Sequence, residues 1–168
     1  MHPDTLETPY SRLEPDLILN AVESLGLICD GRLLALNSYE NRVYQIGIED
    51  DEPVVAKFYR PARWSNDAIL EEHEFSAELQ EEELSIVAPL RISEQTLHEF
   101  EGYRFTLFPR QGGHAPELDH EPSLRHFGQV LARLHNVGSD HPFQHRPQIS
   151  VKLYGHDARE FILKGSWL

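Results

Sequence analysis

Apolar residues along the chain change period several times, and the changes mark the elements. In PDLILNAVESLG, residues 15–26, Leu17, Ala21 and Leu25 fall on one helical face, with Pro15 and Asp16 opening the segment and Gly26 closing it. A short amphipathic helix is predicted there. Three β-like runs follow, RLLAL (32–36), RVYQIGI (42–48) and VVAKFY (54–59), separated by the turn-forming NSYEN and EDDEP. Connections this short favour an antiparallel meander. Residues 60–84, RPARWSNDAILEEHEFSAELQEEEL, turn to helix formers after a Ser65/Asn66 cap. Two more strands are expected at about 89–94 and 103–108, with a turn at Glu101-Gly102. Beyond the Gly- and Pro-rich QGGHAPELDHEP comes SLRHFGQVLARLHNVG (123–138). Here Leu124, Phe127, Leu131 and Leu134 recur at helical spacing and Gly138 serves as a C-terminal stop. The tail from Ser139 has no strong periodicity until AREFILKGSWL.

Composition narrows the class. With 40% apolar and 10% aromatic residues, 168 residues suffice for one globular domain or part of a larger one. Asp and Glu outnumber Lys and Arg 28 to 15, for a formal charge of −13. That balance disfavours a nucleic-acid binder or adsorption to an anionic membrane, but allows a locally basic pocket for an anion. The single Cys29 excludes an intrachain disulfide and a multi-cysteine zinc site. No apolar run approaches the ~20 residues that span a bilayer. MHPDTLETPY is polar and acidic where a signal peptide is basic and then apolar, so the cytoplasm is the expected compartment. Ten histidines invite a metal reading. His114 and His120 share a Pro-containing loop, however, and Pro142 and Pro147 disfavour the helix that the spacing of His141 and His145 requires, so these read as polar loop histidines.

The chemistry centres on Lys57. If VVAKFY is a strand, Val55, Lys57 and Tyr59 face one side and Val54, Ala56 and Phe58 the other, both largely apolar. An ammonium there either snorkels to water or meets a counter-charge. The following helix offers Glu71, Glu72 and Glu74. Ile69, Leu70, Ala77 and Leu84 form one stripe on it, and Glu74 lies closest to that stripe, which makes Glu74 the expected partner and leaves Glu71 and Glu72 on a solvated face. A lysine held by a helix glutamate beneath a β-turn is the arrangement that kinases use on nucleotide phosphates: the lysine is the point charge, and the glutamate fixes its aim.

LNSYENRVYQI, VVAKFYRPARW, ILEEHEF and HRPQI, in that order and with those gaps, resemble the bacterial stress-response kinase A family, serine/threonine protein kinases with an aminoglycoside-phosphotransferase-like fold. The resemblance runs from about Leu13 to Arg159. It implies an α+β fold: a protein-kinase-like N-lobe with an antiparallel five-stranded sheet and one packed helix, followed by the first part of a helical C-lobe. The implied divisions are residues 1–108 for the N-lobe, 109–121 for the hinge and connector, and 122–168 for the start of the C-lobe. It implies ATP and Mg²⁺ as cofactors and a protein Ser/Thr hydroxyl as acceptor. On this resemblance Lys57 contacts the α- and β-phosphates and Glu74 pairs with it. Ser38, Tyr39, Glu40 and Asn41 form the phosphate-covering turn, through backbone N–H groups because the Gly-x-Gly-x-x-Gly of protein kinases at large is absent. In LFPRQGG, Phe108 guards the back of the adenine pocket, while the Pro109 carbonyl and the Gln111 N–H bond the base. Gly128 marks close packing of the first C-lobe helix.

The family's His-Gly-Asp-x-x-x-x-Asn catalytic loop and its Asp-containing metal motif have no counterpart in the sequence. His156-Asp157 in YGHDARE lacks the following Asn, and Asp157 reads as a solvated or helix-capping acid. The resemblance implies that the catalytic Asp and Asn, and the Mg²⁺ ligands, fall beyond Leu168. The expectation is a kinase truncated before its catalytic loop, inactive by itself. The competing readings are a non-catalytic nucleotide- or partner-binding module, and part of a small-molecule kinase of the aminoglycoside or choline type.

Overall fold

A computed structural model describes residues 9–113, 115, 117 and 119–165. His114, singled out above as a loop histidine, lies outside the described residues, and so do Ser166, Trp167 and Leu168. The elements in chain order are α1 (Pro15–Glu23), β1 (Cys29–Leu36), β2 (Arg42–Ile48), β3 (Asp51–Phe58), α2 (Asn66–Glu81), β4 (His98–Phe100), β5 (Tyr103–Pro109) and α3 (Glu121–Asp140). A π-helical turn, Lys152–Asp157, leads into α4 (Ala158–Lys164). The strands form one five-stranded antiparallel sheet in the order β1-β2-β3-β5-β4. The fold is α+β, as the meander pattern implies.

Strand alternation divides the sheet into two faces. Ile46, Val54, Ala56, Phe58, Phe105 and Leu107 are buried on one, where they pack with Ile18, Ala21 and Val22 of α1. Phe58 and Phe105 stack with ring centroids 5.3 Å apart. Burying side chains of this size contributes roughly 1.5–3 kcal/mol each, so this layer is the main source of stability. The other face carries Lys57. On that side α2 starts where the sequence places it: the Ser65 side chain accepts a hydrogen bond from the Ala68 N–H, and Asp67 occupies the first turn.

Three expectations are corrected. Residues 89–94 do not form a strand. The Leu90 N–H donates to the Leu107 carbonyl at 2.7 Å, but Ser93 and Glu94 then adopt positive φ of 50° and 64° in a tight turn closed by an Ile92–Gln95 bridge. The edge strand beside β5 is His98–Phe100 instead. Second, α2 buries Ala68, Ile69, His73 and Leu79, not a stripe through Leu70 and Ala77, because a polar residue, His73, sits in the packed face. Third, α3 runs through Gly138 to Asp140. Gly138 lies inside the helix beside the Phe75 ring of α2 and does not stop it, whereas Gly128 faces open space. No residue of α3 is buried, and Leu124, Phe127 and Leu131 remain exposed.

Candidate functional site

The register places Lys57 opposite Val43 on β2 and Thr106 on β5, and in the next row Val55 opposite Gln45 and Phe108. Directly paired residues of antiparallel strands point to the same side. This face is therefore a half-exposed surface of Val43, Gln45, Val55 and Phe108 with one cation rising from it. The cation is held. Lys57 Nζ lies 2.8 Å from Glu72 Oε1 and 4.8 Å from the centre of the Tyr59 ring, and its side chain is 19% exposed.

The partner is Glu72, and this corrects the assignment of Glu74. Glu72 follows the buried Ala68 and Ile69 by four and three residues, which on a helix is the same face. Glu74 lies two residues further, about 200° round the axis. It is exposed and lines a 740 Å³ cavity on the other flank of α2, with Leu70, Ala77, Arg91 and Arg104 among its neighbours. Burial alone would raise the Glu72 carboxyl, but the hydrogen bond from Lys57 and the charges of Lys57 and Arg146 together hold it below the usual carboxylate range. Next to it, His73 Nε2 is 2.7 Å from the Tyr59 hydroxyl and Nδ1 is 2.8 Å from Thr96 Oγ1. Burial lowers the His73 pKa to about 4 and, with the charge of Glu72 second, raises that of Tyr59.

The NSYEN turn joins β1 to β2 at the edge of this face. Ser38 Oγ donates to the Asn41 carbonyl at 2.6 Å, and Asn41 Oδ1 accepts from the Arg60 N–H just past β3. The Glu40 carboxylate accepts from Arg63 Nε at 2.9 Å and Trp64 Nε1 at 2.8 Å. The Arg63 hydrogen bond is the main reason its carboxyl is held low, and both contacts anchor the turn to the segment ahead of α2. Tyr39 is fully exposed. At the other end, Phe108 pairs with Val55, on the Lys57 face. The Leu107 carbonyl faces away from β3, toward Leu90. By strand alternation the Pro109 carbonyl faces the same way, and Gln111 is exposed just beyond the strand.

One residue of the site carried no role in the sequence reading. Arg146 donates from Nη2 to Glu72 Oε2 and from Nε to the Ala68 carbonyl at 3.0 Å, with its guanidinium 4.7 Å from the Trp64 ring centre. Glu71, read as solvated, accepts from the backbone N–H groups of Gln144, His145 and Arg146. The signal was present in HRPQI, which carried the resemblance without showing what its arginine touches. His141 pairs with Glu78, and among the described residues no three His, Cys, Asp or Glu side chains converge on a metal position. Asp157 meets Lys152 and caps nothing.

The arrangement sets a cation, paired with a helix carboxylate, on an open sheet face that β5 shares. Residues 32–161 match the phosphotransferase enzyme family (APH). The chain belongs to that family. Within it, the serine/threonine protein kinase RdoA of Salmonella typhimurium is 42% identical over 151 residues, covering 90% of this chain and 46% of the relative. Stress response kinase A of Escherichia coli K12 is 42% identical over 153 residues, covering 91% of this chain and 47% of the relative. The chain thus spans about half the length of the curated relatives it matches. A solved amicoumacin kinase, hAmiN in complex with AMP-PNP, Ca²⁺ and Ami, superposes with a TM-score of 0.67 over 88% of this chain and 47% of its own, at 16% identity. That likeness establishes the kinase-like fold.

Proposed function

We propose that this chain is the nucleotide-binding half of an ATP-dependent serine/threonine protein kinase of the bacterial stress-response type, acting in the cytoplasm. The observation that carries the reading is the Lys57–Glu72 pair, 2.8 Å apart on the open face of the sheet. Lys57 supplies the point charge for α- and β-phosphate oxygens, and Glu72 takes the aiming role first given to Glu74. The backbone of Ser38, Tyr39, Glu40 and Asn41 covers the phosphates. Phe108 lies against the base, with the Pro109 carbonyl and the Gln111 N–H as its hydrogen-bond partners. The 42% identity to protein kinases over most of this chain favours a protein hydroxyl as acceptor over a small molecule.

Phosphoryl transfer also needs a group that orients the acceptor hydroxyl and carboxylates for Mg²⁺. The sequence contains no His-Gly-Asp-x-x-x-x-Asn. Among the described residues no three His, Cys, Asp or Glu side chains are placed to hold a metal ion, so these residues do not fit Mg²⁺ unaided. The 168 residues alone therefore bind nucleotide without transferring phosphate. The test is a titration of the chain with AMP-PNP. Lys57→Ala weakens binding by about tenfold or more, the scale of one charge-assisted contact, and Glu74→Ala leaves it unchanged. Equal affinity for the wild type and Lys57→Ala contradicts the nucleotide site. Phosphate transfer by the chain, abolished by Lys57→Ala, contradicts the inactivity.

A further inference from the structure

Glu72 is shared. Its Oε1 receives Lys57 and its Oε2 receives Arg146, so the two cations occupy different oxygens of one carboxylate and do not compete. Arg146 is about 70 residues away in sequence, in the segment between α3 and the π-helical turn, and it is tied down independently of Glu72. Its Nε bonds the Ala68 carbonyl, its own N–H bonds Glu71 Oε2 at 3.2 Å, and its guanidinium lies over Trp64. Trp64 in turn donates to Glu40 of the NSYEN turn. A continuous line of contacts thus joins the turn, Trp64, Arg146, Glu72 and Lys57.

We propose that Arg146 is a positioning residue: it fixes the Glu72 carboxylate through Oε2, and thereby sets the aim of Lys57 and couples it to the docking of residues 141–149 on α2. The physical reason is rotational. A carboxylate held at one oxygen swings about its terminal torsion, which is broad and soft, whereas one held at both oxygens by a planar guanidinium and an ammonium has a single orientation. Side chains of Lys57, Glu72 and Arg146 are only 19%, 33% and 25% exposed, so water does not readily substitute for a lost partner. His73 and Tyr59 are the other titratable groups beside Glu72; they bond each other, and the His73 ring is held by Tyr59 and Thr96 rather than by this carboxylate.

This rests on the nucleotide reading for its consequence but not for its geometry, and two measurements separate them. AMP-PNP is titrated into the chain carrying Arg146→Gln, Arg146→Lys, Glu72→Gln or both Glu72→Gln and Arg146→Gln. Arg146→Gln raises Kd by about fivefold, Arg146→Lys by about twofold, and Arg146→Gln adds nothing once Glu72 is Gln. If Arg146→Gln fails to fold, the charge-retaining Arg146→Lys decides. A wild-type Kd in the Arg146 variants while Lys57→Ala weakens binding, or a full loss persisting in the Glu72→Gln background, overturns the proposal. The second measurement needs no nucleotide. Carbon NMR of the Glu72 carboxyl shows its titration midpoint rising by about half a pH unit or more in Arg146→Gln. An unmoved midpoint overturns the proposal, even where unchanged binding by Lys57→Ala has already removed the nucleotide reading.

Discussion

At the scale of single residues, the question set by Lys57 has a definite answer: a lysine persists in an apolar strand because a carboxylate meets it at 2.8 Å. That a carboxylate would come from α2 was legible in the sequence, since the helix is rich in Glu and follows the strand directly. Which one was not. The choice of Glu74 depended on a stripe through Ile69, Leu70, Ala77 and Leu84; the helix does bury Ile69, but together with Ala68 and His73 in place of Leu70 and Ala77, which turns Glu72 onto the sheet. The difference is measurable as stability. Glu72→Gln leaves two partly buried cations short of a counter-charge and costs about 1–2 kcal/mol, reduced from the value for a fully buried pair by its partial exposure. Glu74→Gln, on an exposed flank, stays within about 0.5 kcal/mol. Urea unfolding of the two variants checks this; equal losses contradict the assignment.

At the scale of elements, α2 is the piece that both supports the sheet and carries the site. Its cap was readable from Ser65, and the strands β2, β3 and β5 from their alternation. The strand expected at 89–94 was not there because two residues with positive φ turn the chain, and nothing in ordinary Ser and Glu announces that conformation. His73 was equally silent. It bridges Tyr59 after β3 and Thr96 ahead of β4, which pins α2 between them, and it must be neutral to stay buried. Its pKa is about 4 in the fold against an ordinary 6.5. Its contribution is complete above pH 6.5. Below that the unfolded chain takes up a proton that the folded chain refuses, so stability falls as the pH drops toward 4, by up to about 3 kcal/mol. Glu72, held low by its cations, adds a further loss below the usual carboxylate range. Urea midpoints measured from pH 7 to 4 are expected to decline, with a shallower decline in His73→Gln. The same slope in both proteins contradicts the role of His73.

At the scale of the whole molecule, the chain is a two-faced sheet. One face is closed by α1 into the core; the other is partly covered by α2 and open beside Lys57. The N-terminal half of this arrangement was legible because its periods are clear and its connections short. The docking of residues 141–149 on α2 was not, because contacts such as those of Glu71 with Gln144, His145 and Arg146 span more than 70 residues without any periodic trace. Leu124, Phe127 and Leu131 on α3 lie open to solvent. No helix among the described residues is long and apolar enough to cross a membrane.

The central claim is that the open face receives a triphosphate at Lys57, and a structure of the chain with AMP-PNP tests it most directly. The account predicts phosphate oxygens about 3 Å from Lys57 Nζ and the base against Val55 and Phe108. A nucleotide seated in the cavity on the Glu74 flank of α2, or ordered anywhere without contact to Lys57, would contradict it.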